Sequence, residues 1–360
     1  MNKILNQYLI INYSKIILNT ILIFFALGVI LNLFEEIDFF KDSNESLVIP
    51  FILSLSIVPT LILELLPFII FLSSMYFFLY LKSNKDLLNI KVLGYSNLKI
   101  ISIVAFFAFM FGILVLIVVN PITSSLIKYY ETEKAQYSRD VDHLVSINRN
   151  GVWIKEVETQ GYKIINADNL DDEVLRNVSI YFFDKNNMII KRIESDTALI
   201  MDSPWVLKNA YVYDFVDAEN NFFEIYEFET KNNLVRINSL FRNLNILSFI
   251  DLINDYDQLN KVGYSKKLLN EQINKFISLP FFLFLMVVLA SIFTIGTVNT
   301  KQNYYYIILS IFISVIIFYF KDLSIDLGHT GKINLILSVW MPLMAISLFC
   351  LIGVIQINEK

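Results

Sequence analysis

Long apolar runs separated by short polar joints open and close the chain, and a central region of alternating apolar and polar positions divides them. Residues 16–34 are apolar and follow Lys3 and Lys15. The run is long for a secretory signal and no small-x-small site follows it, so it reads as an uncleaved first span. Residues 50–81 form a second run, longer than the ~20 residues a helix needs to cross a bilayer. Pro59 and Pro67 predict that this helix is kinked and tilted. A third run, residues 100–119, is expected to end at Asn120-Pro121.

Between the second and third runs lies a polar hinge, residues 82–99, reading KSNKDLLNIKVLGYSNLK. Ser83 or Asn84 is placed to cap a short helix, with Ser83-x-x-Asp86 at capping-box spacing. Lys91 falls in the last turn, where the helix dipole favours a cation, and Gly94 is placed to stop the helix. At 100° per residue Leu88, Val92 and Tyr95 share one side, while Leu87, Ile90 and Leu93 cover much of the rest. Two apolar faces are one more than a helix lying on lipid needs. One can rest on the protein's own helices, which leaves the other for a partner protein; the alternative is a plain connector.

From residue 123 the period changes. Residues 123–137 read as a polar helix, and short alternating strands follow: Val152-Trp153-Ile154, Tyr162-Lys163-Ile164-Ile165, Val178-Ser179-Ile180-Tyr181-Phe182, Met188-Ile189-Ile190, Trp205-Val206-Leu207, Tyr211-Val212-Tyr213 and residues 222–228. Turn clusters such as Lys185-Asn186-Asn187 punctuate them. Such a series without intervening helices predicts an antiparallel sandwich, jelly roll or barrel-like sheet. Helical periodicity returns at Ile246. Ser248-x-x-Asp251 caps a helix with Phe249, Ile253 and Tyr256 on one side and Gly263 at its end. A polar helix over 265–276 leads into a fourth span at 279–298, and further spans cover 304–320 and 333–355. The fold class expected is an integral membrane α-helical protein with six transmembrane helices and an inserted all-β, jelly-roll-like domain. The expected divisions are 1–122 (three spans with the inner helix 84–95), 123–245 (the β domain with its leading helix), 246–278 (connecting helices) and 279–360 (three spans).

Composition agrees with a membrane protein: 56% of residues are hydrophobic, 18% are charged and mean hydropathy is +0.56. A net charge of −5 with no basic stripe argues against nucleic-acid binding. One cysteine, Cys350, and two distant histidines, His143 and His329, offer neither a disulfide framework nor a metal centre. No phosphate-binding loop or dinucleotide fingerprint occurs, so the chain is not expected to be an enzyme with its own nucleotide site or to carry a cofactor. With the N-terminus inside, the inner segments hold Lys3, Lys15, Lys82, Lys85, Lys91, Lys99, Lys301 and Lys360 against Asp86 and Glu359. The first outer loop carries Glu35, Glu36, Asp38, Asp42 and Glu45 against Lys41 alone. This positive-inside pattern places both termini in the cytoplasm and the β domain on the opposite side.

Glu-Leu-Leu-Pro at Glu64 to Pro67, followed by Lys85-Asp86-Leu87-Leu88-Asn89-Ile90-Lys91-Val92-Leu93-Gly94-Tyr95-Ser96, resembles the LptF/LptG permease family. Gly151-Val152-Trp153, Ser179-Ile180-Tyr181 and Pro280 are similar too, and Trp340-Met341-Pro342 looks more like LptG than LptF. Asp86 stands where the family usually has Glu, and Ile90 where it often has Met. The resemblance implies lipopolysaccharide export from the inner membrane of Gram-negative bacteria. The partners it implies are a cytoplasmic ABC ATPase dimer (LptB-like), a paired permease (LptF-like), and membrane-anchored LptC-like and soluble LptA-like periplasmic β proteins. Asp86, Leu87, Leu88, Ile90, Lys91, Val92, Gly94 and Tyr95 then become the expected ATPase-coupling residues. Lys41, Glu64, Lys275, Lys321, Ile180 and Phe182 are candidate lipid contacts, although the charged four can equally be interfacial anchors that snorkel or sit at headgroup level. Family members commonly carry basic residues near the outer end of the first span, where Glu35 and Glu36 stand here; a bridging divalent cation is one possible repair. A second reading is a non-transporting anchor or receptor whose β domain binds an envelope partner.

Overall fold

A computed structural model of the chain describes residues 2–41, 47–137, 143–148, 151–158, 161–171, 174–184, 188–200, 204–215, 219–230, 246–262, 264, 266–295 and 303–358. The expected turn at Lys185-Asn186-Asn187, the stop at Gly263, the C-terminal residues of the fourth span and the inner residues Lys301, Glu359 and Lys360 lie outside them. The helices before the sheet are α1 (Asn2–Phe39), α2 (Val48–Ser83), α3 (Asp86–Val92), α4 (Asn97–Leu114) and, after a π-helical turn at Val115–Val119, α5 (Asn120–Tyr137). The strands are β1 (His143–Asn148), β2 (Gly151–Glu158), β3 (Gly161–Ala167), β4 (Asn169–Asp171), β5 (Val174–Asp184), β6 (Ile189–Leu199), β7 (Trp205–Asp214) and β8 (Glu219–Phe228). After the sheet come α6 (Phe249–Asn254), α7 (Tyr256–Val262), α8 (Lys266–Ile295), α9 (Asn303–His329) and α10 (Leu335–Asn358). The chain divides into two compact units, Met1–Ile127 with Asn270–Lys360, and Lys128–Leu269.

Among the described residues six helical stretches are long and apolar enough to cross a membrane: Lys3–Phe39, Val48–Ser83, Asn97–Lys134, Lys266–Ile295, Ile308–His329 and Leu335–Ile357. A backbone at membrane depth must satisfy its own polar groups, and a helix does so within one segment. The third helical stretch does not end at Asn120-Pro121, as the proline suggested. The Asn120 N–H bonds to the carbonyl of Val115, five residues back, and this widened turn lets the helix accept Pro121 and run on as α5. Pro280 is likewise absorbed inside α8, so the polar helix expected over 265–276 and the fourth span are one element. A Cβ at Gly112 would lie 2.8 Å from the Cα of Pro280, so glycine is what lets α4 and α8 approach there. α9 continues past residue 320 to His329, where Gly331, at φ +73°, turns the chain.

The core of this unit joins α1 (Leu9, Tyr13, Ile17), α2 (Ile70, Phe71, Phe77, Phe78), α4 (Val104, Ala108), α8 (Phe282, Met286) and α10 (Leu343, Ile346). Tyr13 is fully buried and its hydroxyl shares a 2.7 Å hydrogen bond with Ser74 Oγ. Enclosure is uneven: 61% of the apolar stretch of α8 is buried, but only 6% of that of α1.

The second unit holds an antiparallel sheet in the order β1-β2-β3-β5-β6-β7-β8, with β4 paired on β5. Apart from the short β4, each strand neighbours the next in sequence, so the expected all-β insertion is a meander that stays open between β1 and β8 among the described residues. The two expected strands 205–207 and 211–213 are one, β7, bent where Asn209 takes φ +53°. Leu175, Val178 and Ile180 of β5 are buried, the alternation slipping by one residue at Asn177, which takes φ +51°. Residues beyond β8 return to the other end of the sheet: Lys163 Nζ of β3 donates to the Glu229 carbonyl at 3.0 Å, and Thr230 Oγ1 donates to Glu156 Oε2 of β2 at 2.8 Å. The meander is therefore curled over its inner face.

Candidate functional site

Asn84 ends α2 and the next residue, Lys85, takes a left-handed φ of +63°, so a two-residue joint turns the chain into α3. The N-cap position is Lys85, without a side-chain cap, and not Ser83 or Asn84. The Ser83 hydroxyl donates instead to the Tyr80 carbonyl, closing the preceding helix. Asp86 occupies the first turn and Lys91 the last, both suited to the helix dipole.

The two apolar faces are real, but Tyr95 and Leu93 change sides: Leu93, expected with Leu87 and Ile90, is exposed beside Leu88 and Val92. Gly94, at φ +87°, forms a Schellman motif: its N–H bonds to the Lys91 carbonyl at 2.9 Å and the Tyr95 N–H to the Ile90 carbonyl at 3.3 Å. That geometry carries Tyr95 out of helical phase and onto the side of Ile90. Leu87, Ile90 and Tyr95 are buried in the helical core, whereas Leu88 is 62%, Val92 79% and Leu93 47% exposed. An apolar stripe is therefore left uncovered on a helix locked down by its other face.

α1 holds this hinge as well. Tyr8 donates to Asp86 Oδ2 at 2.9 Å, and Tyr95 donates to Asn6 Oδ1 at 2.9 Å. Lys99 lies over the Tyr95 ring at 4.1 Å. Lys82, at the end of α2, donates to the Thr294 carbonyl in the last turn of α8. Neither Tyr8 nor Asn6 stood out in the sequence, since a pairing across 78 positions leaves no local pattern.

Of the candidate lipid contacts, the fold brings three together. Glu64 of α2 and Lys275 of α8 both lie within electrostatic reach of Lys321 of α9, and Asp322 joins them. Lys321 Nζ stands 5.2 Å from the centre of the Phe282 ring. Lys275 Nζ is 2.7 Å from Glu271 Oε1, and His329 Nε2 lies 3.3 Å from the same oxygen, an ion pair when the imidazole is protonated. Asn274 accepts from Trp340 Nε1 at 2.9 Å, tying α8 to α10 beside them. Glu271–Lys275 was legible as an i, i+4 pair, but the arrival of His329 was not.

Lys41 is placed elsewhere, 3.9 Å from Asp38, on the wall of a cavity of about 480 Å³ with Phe34, Ile37, Phe40, Leu47 and Pro50. In the β unit Ile180 is fully buried and Phe182 half-buried, two residues apart on one side of β5, and Phe182 meets the Phe228 ring at 6.2 Å. Among the described residues no group of three or more His, Cys, Asp and Glu side chains is arranged to hold a metal.

The order of spans, the inserted antiparallel sheet and the two-faced helix between the second and third spans now stand together. The model of the family described as lipopolysaccharide export system permease LptF/LptG matches residues 7–356. The chain belongs to this family. No curated protein matches it. Membership and the six apolar helices make it a multi-pass permease of the bacterial inner membrane, in the system that exports lipopolysaccharide.

Proposed function

We propose that this chain is an LptG-type subunit of an ABC exporter, which extracts lipopolysaccharide from the membrane using ATP hydrolysed by a separate cytoplasmic ATPase dimer. A second, LptF-like permease completes the membrane part, and LptC-like and LptA-like β proteins receive the lipid. The observation that carries this reading is α3. Its Leu87–Ile90–Tyr95 side is packed into the helical core while its Leu88–Val92–Leu93 side is uncovered. The two-residue joint to α2 and the capped start of α4, where the Lys99 N–H bonds to Ser96 Oγ, let α3 pass a push on without a flexible loop.

Glu64, Lys275 and Lys321 are assigned to the lipid path on the outer side, with Lys41 and its cavity as a separate contact. The β unit offers the partly open Phe182 along its trough, with Ile180 enclosed beneath as its support, and a sheet edge to which a β partner can add strands.

Docking is tested with Leu88→Ala and Asp86→Lys. If Leu88 fills a groove of the ATPase, its truncation removes ~2–5 kcal/mol of packing. Asp86→Lys sets a cation at the positive end of the helix and against any arginine of the partner. Both variants should insert normally, yet lose ATPase on co-purification and lipid release from spheroplasts. Wild-type complex and export in both would refute coupling and leave α3 a connector. Failure of the wild-type chain to retain any ATPase would favour the membrane-anchor reading instead.

A further inference from the structure

α2 and α4 are joined to α3 by the backbone, so a displacement of α3 reaches them directly. α1 has no such tie: the chain leaves it at Phe39, at the end opposite Asn6 and Tyr8. At its near end two directed hydrogen bonds bracket the coupling helix, Tyr8 donating to Asp86 at the start and Tyr95, just past the end, donating to Asn6, each 2.9 Å. Leu9, Tyr13 and Ile17 follow at helical spacing and are buried in the core that also takes Leu87 and Ile90. Beyond Ile17 the helix is bare on its outer side, with Leu22, Leu27, Leu31 and Phe34 exposed. A helix of 38 residues is about 57 Å long at 1.5 Å per residue. It is thus tied to the α3 region at one end, packed along α2 through Phe24, Phe25 and Val29, and the least enclosed of the membrane-crossing stretches among the described residues.

We infer that Tyr8 and Asn6 are positioning residues that latch the coupling helix to α1 and carry its displacement into that span. Apolar packing along α2 resists separation but tolerates sliding, whereas a hydrogen bond to a carboxylate is directional and resists shear. The latch gives the ATPase a third route into the membrane, through side chains rather than through the chain. The inference rests on the coupling role proposed above for α3.

The test uses the full-length chain in its complex. The double variant Tyr8→Phe/Asn6→Leu removes the Tyr8 donor and the Asn6 acceptor without touching Leu88, Val92 or Leu93. Co-purified ATPase and its rate of hydrolysis should stay within about twofold of wild type. Lipid release from spheroplasts should fall about fivefold or more, the scale of one or two lost hydrogen bonds. Asn6→Asp keeps an acceptor oxygen and should release lipid as the wild type does. If the double variant accumulates poorly, Tyr8→Phe alone, which keeps the ring, carries the same comparison with a smaller fall. Undiminished release with the latch removed would overturn the inference. So would loss of the ATPase from the variant, because the pair would then shape the docking surface rather than transmit from it. A wild-type complex that hydrolyses ATP without releasing lipid would instead sink the export reading.

Discussion

Lys163 and Glu156 face each other across β3 and β2, 3.3 Å apart and 4% and 2% exposed. Removing such charges from water costs several kcal/mol per ion, so the pair persists only because its remaining positions are filled. Glu229, Thr230 and the Phe228 ring, 4.8 Å from Lys163 Nζ, fill them, and all three come from the end of β8 and just beyond. The pair therefore holds the curl of the sheet and does more than join two strands. Lys163→Met should strand the Glu156 carboxylate in the interior and destabilise the β unit by ~3–5 kcal/mol, as broken buried pairs do. The double variant Lys163→Met/Glu156→Leu should recover most of that loss, since the orphaned charge is gone. Limited proteolysis of the full-length protein within residues 143–230 reads both effects. Equal protection of Lys163→Met and the wild type would show that the pair contributes nothing to the curl.

At the scale of elements, what was legible followed from local pattern, and what was not depended on distance. Alternation marked β5 and β7, and capping residues marked α6, where Ser248 and Asp251 form a complete capping box. The two faces of α3 were readable from spacing as well. The side on which Tyr95 falls was not, because one left-handed glycine resets the phase of everything after it. The same limit hid the continuation through Pro121, since the π turn that accommodates the proline leaves no mark in the residues before it. The curl of the sheet depends on residues that meet across 66 and 74 positions, and no window of sequence holds such pairs. The curl matters for β5. Ile180 is fully enclosed, whereas Phe182 remains partly open beside Phe228. A photo-crosslinking side chain at Phe182 should capture lipopolysaccharide in an ATP-dependent manner, with far less capture at Ile180. Adducts to protein alone at Phe182 would make the β unit a docking module and not a conduit.

For the whole molecule the open quantity is its direction across the membrane. Positive charge retained on one side orients spans, and Lys82, Lys85, Lys91 and Lys99 cluster around α3. Lys99 rests on the Tyr95 ring and Lys82 bonds to the end of α8, so these lysines also serve the fold that they orient. The acidic stretch that runs from the end of α1 onward, where Glu35, Glu36, Asp38, Asp42 and Glu45 outnumber Lys41, points the same way, although the structure places Glu35, Glu36 and Asp38 on the helix and not in a loop. The expected topology sets α3 and both termini in the cytoplasm and residues 143–230 in the periplasm. Single cysteines at Val92 and Met188 report on it, since both positions are exposed, at 79% and 66%. The native Cys350 is 3% exposed and gives little background to a bulky reagent. In intact cells with a permeable outer membrane, a membrane-impermeant maleimide should label Met188→Cys and spare Val92→Cys until the inner membrane is opened. Labelling of both before the inner membrane is opened would put α3 on the periplasmic side. It would remove α3 from the reach of any cytoplasmic ATPase, and the coupling role and the latch would fall with it.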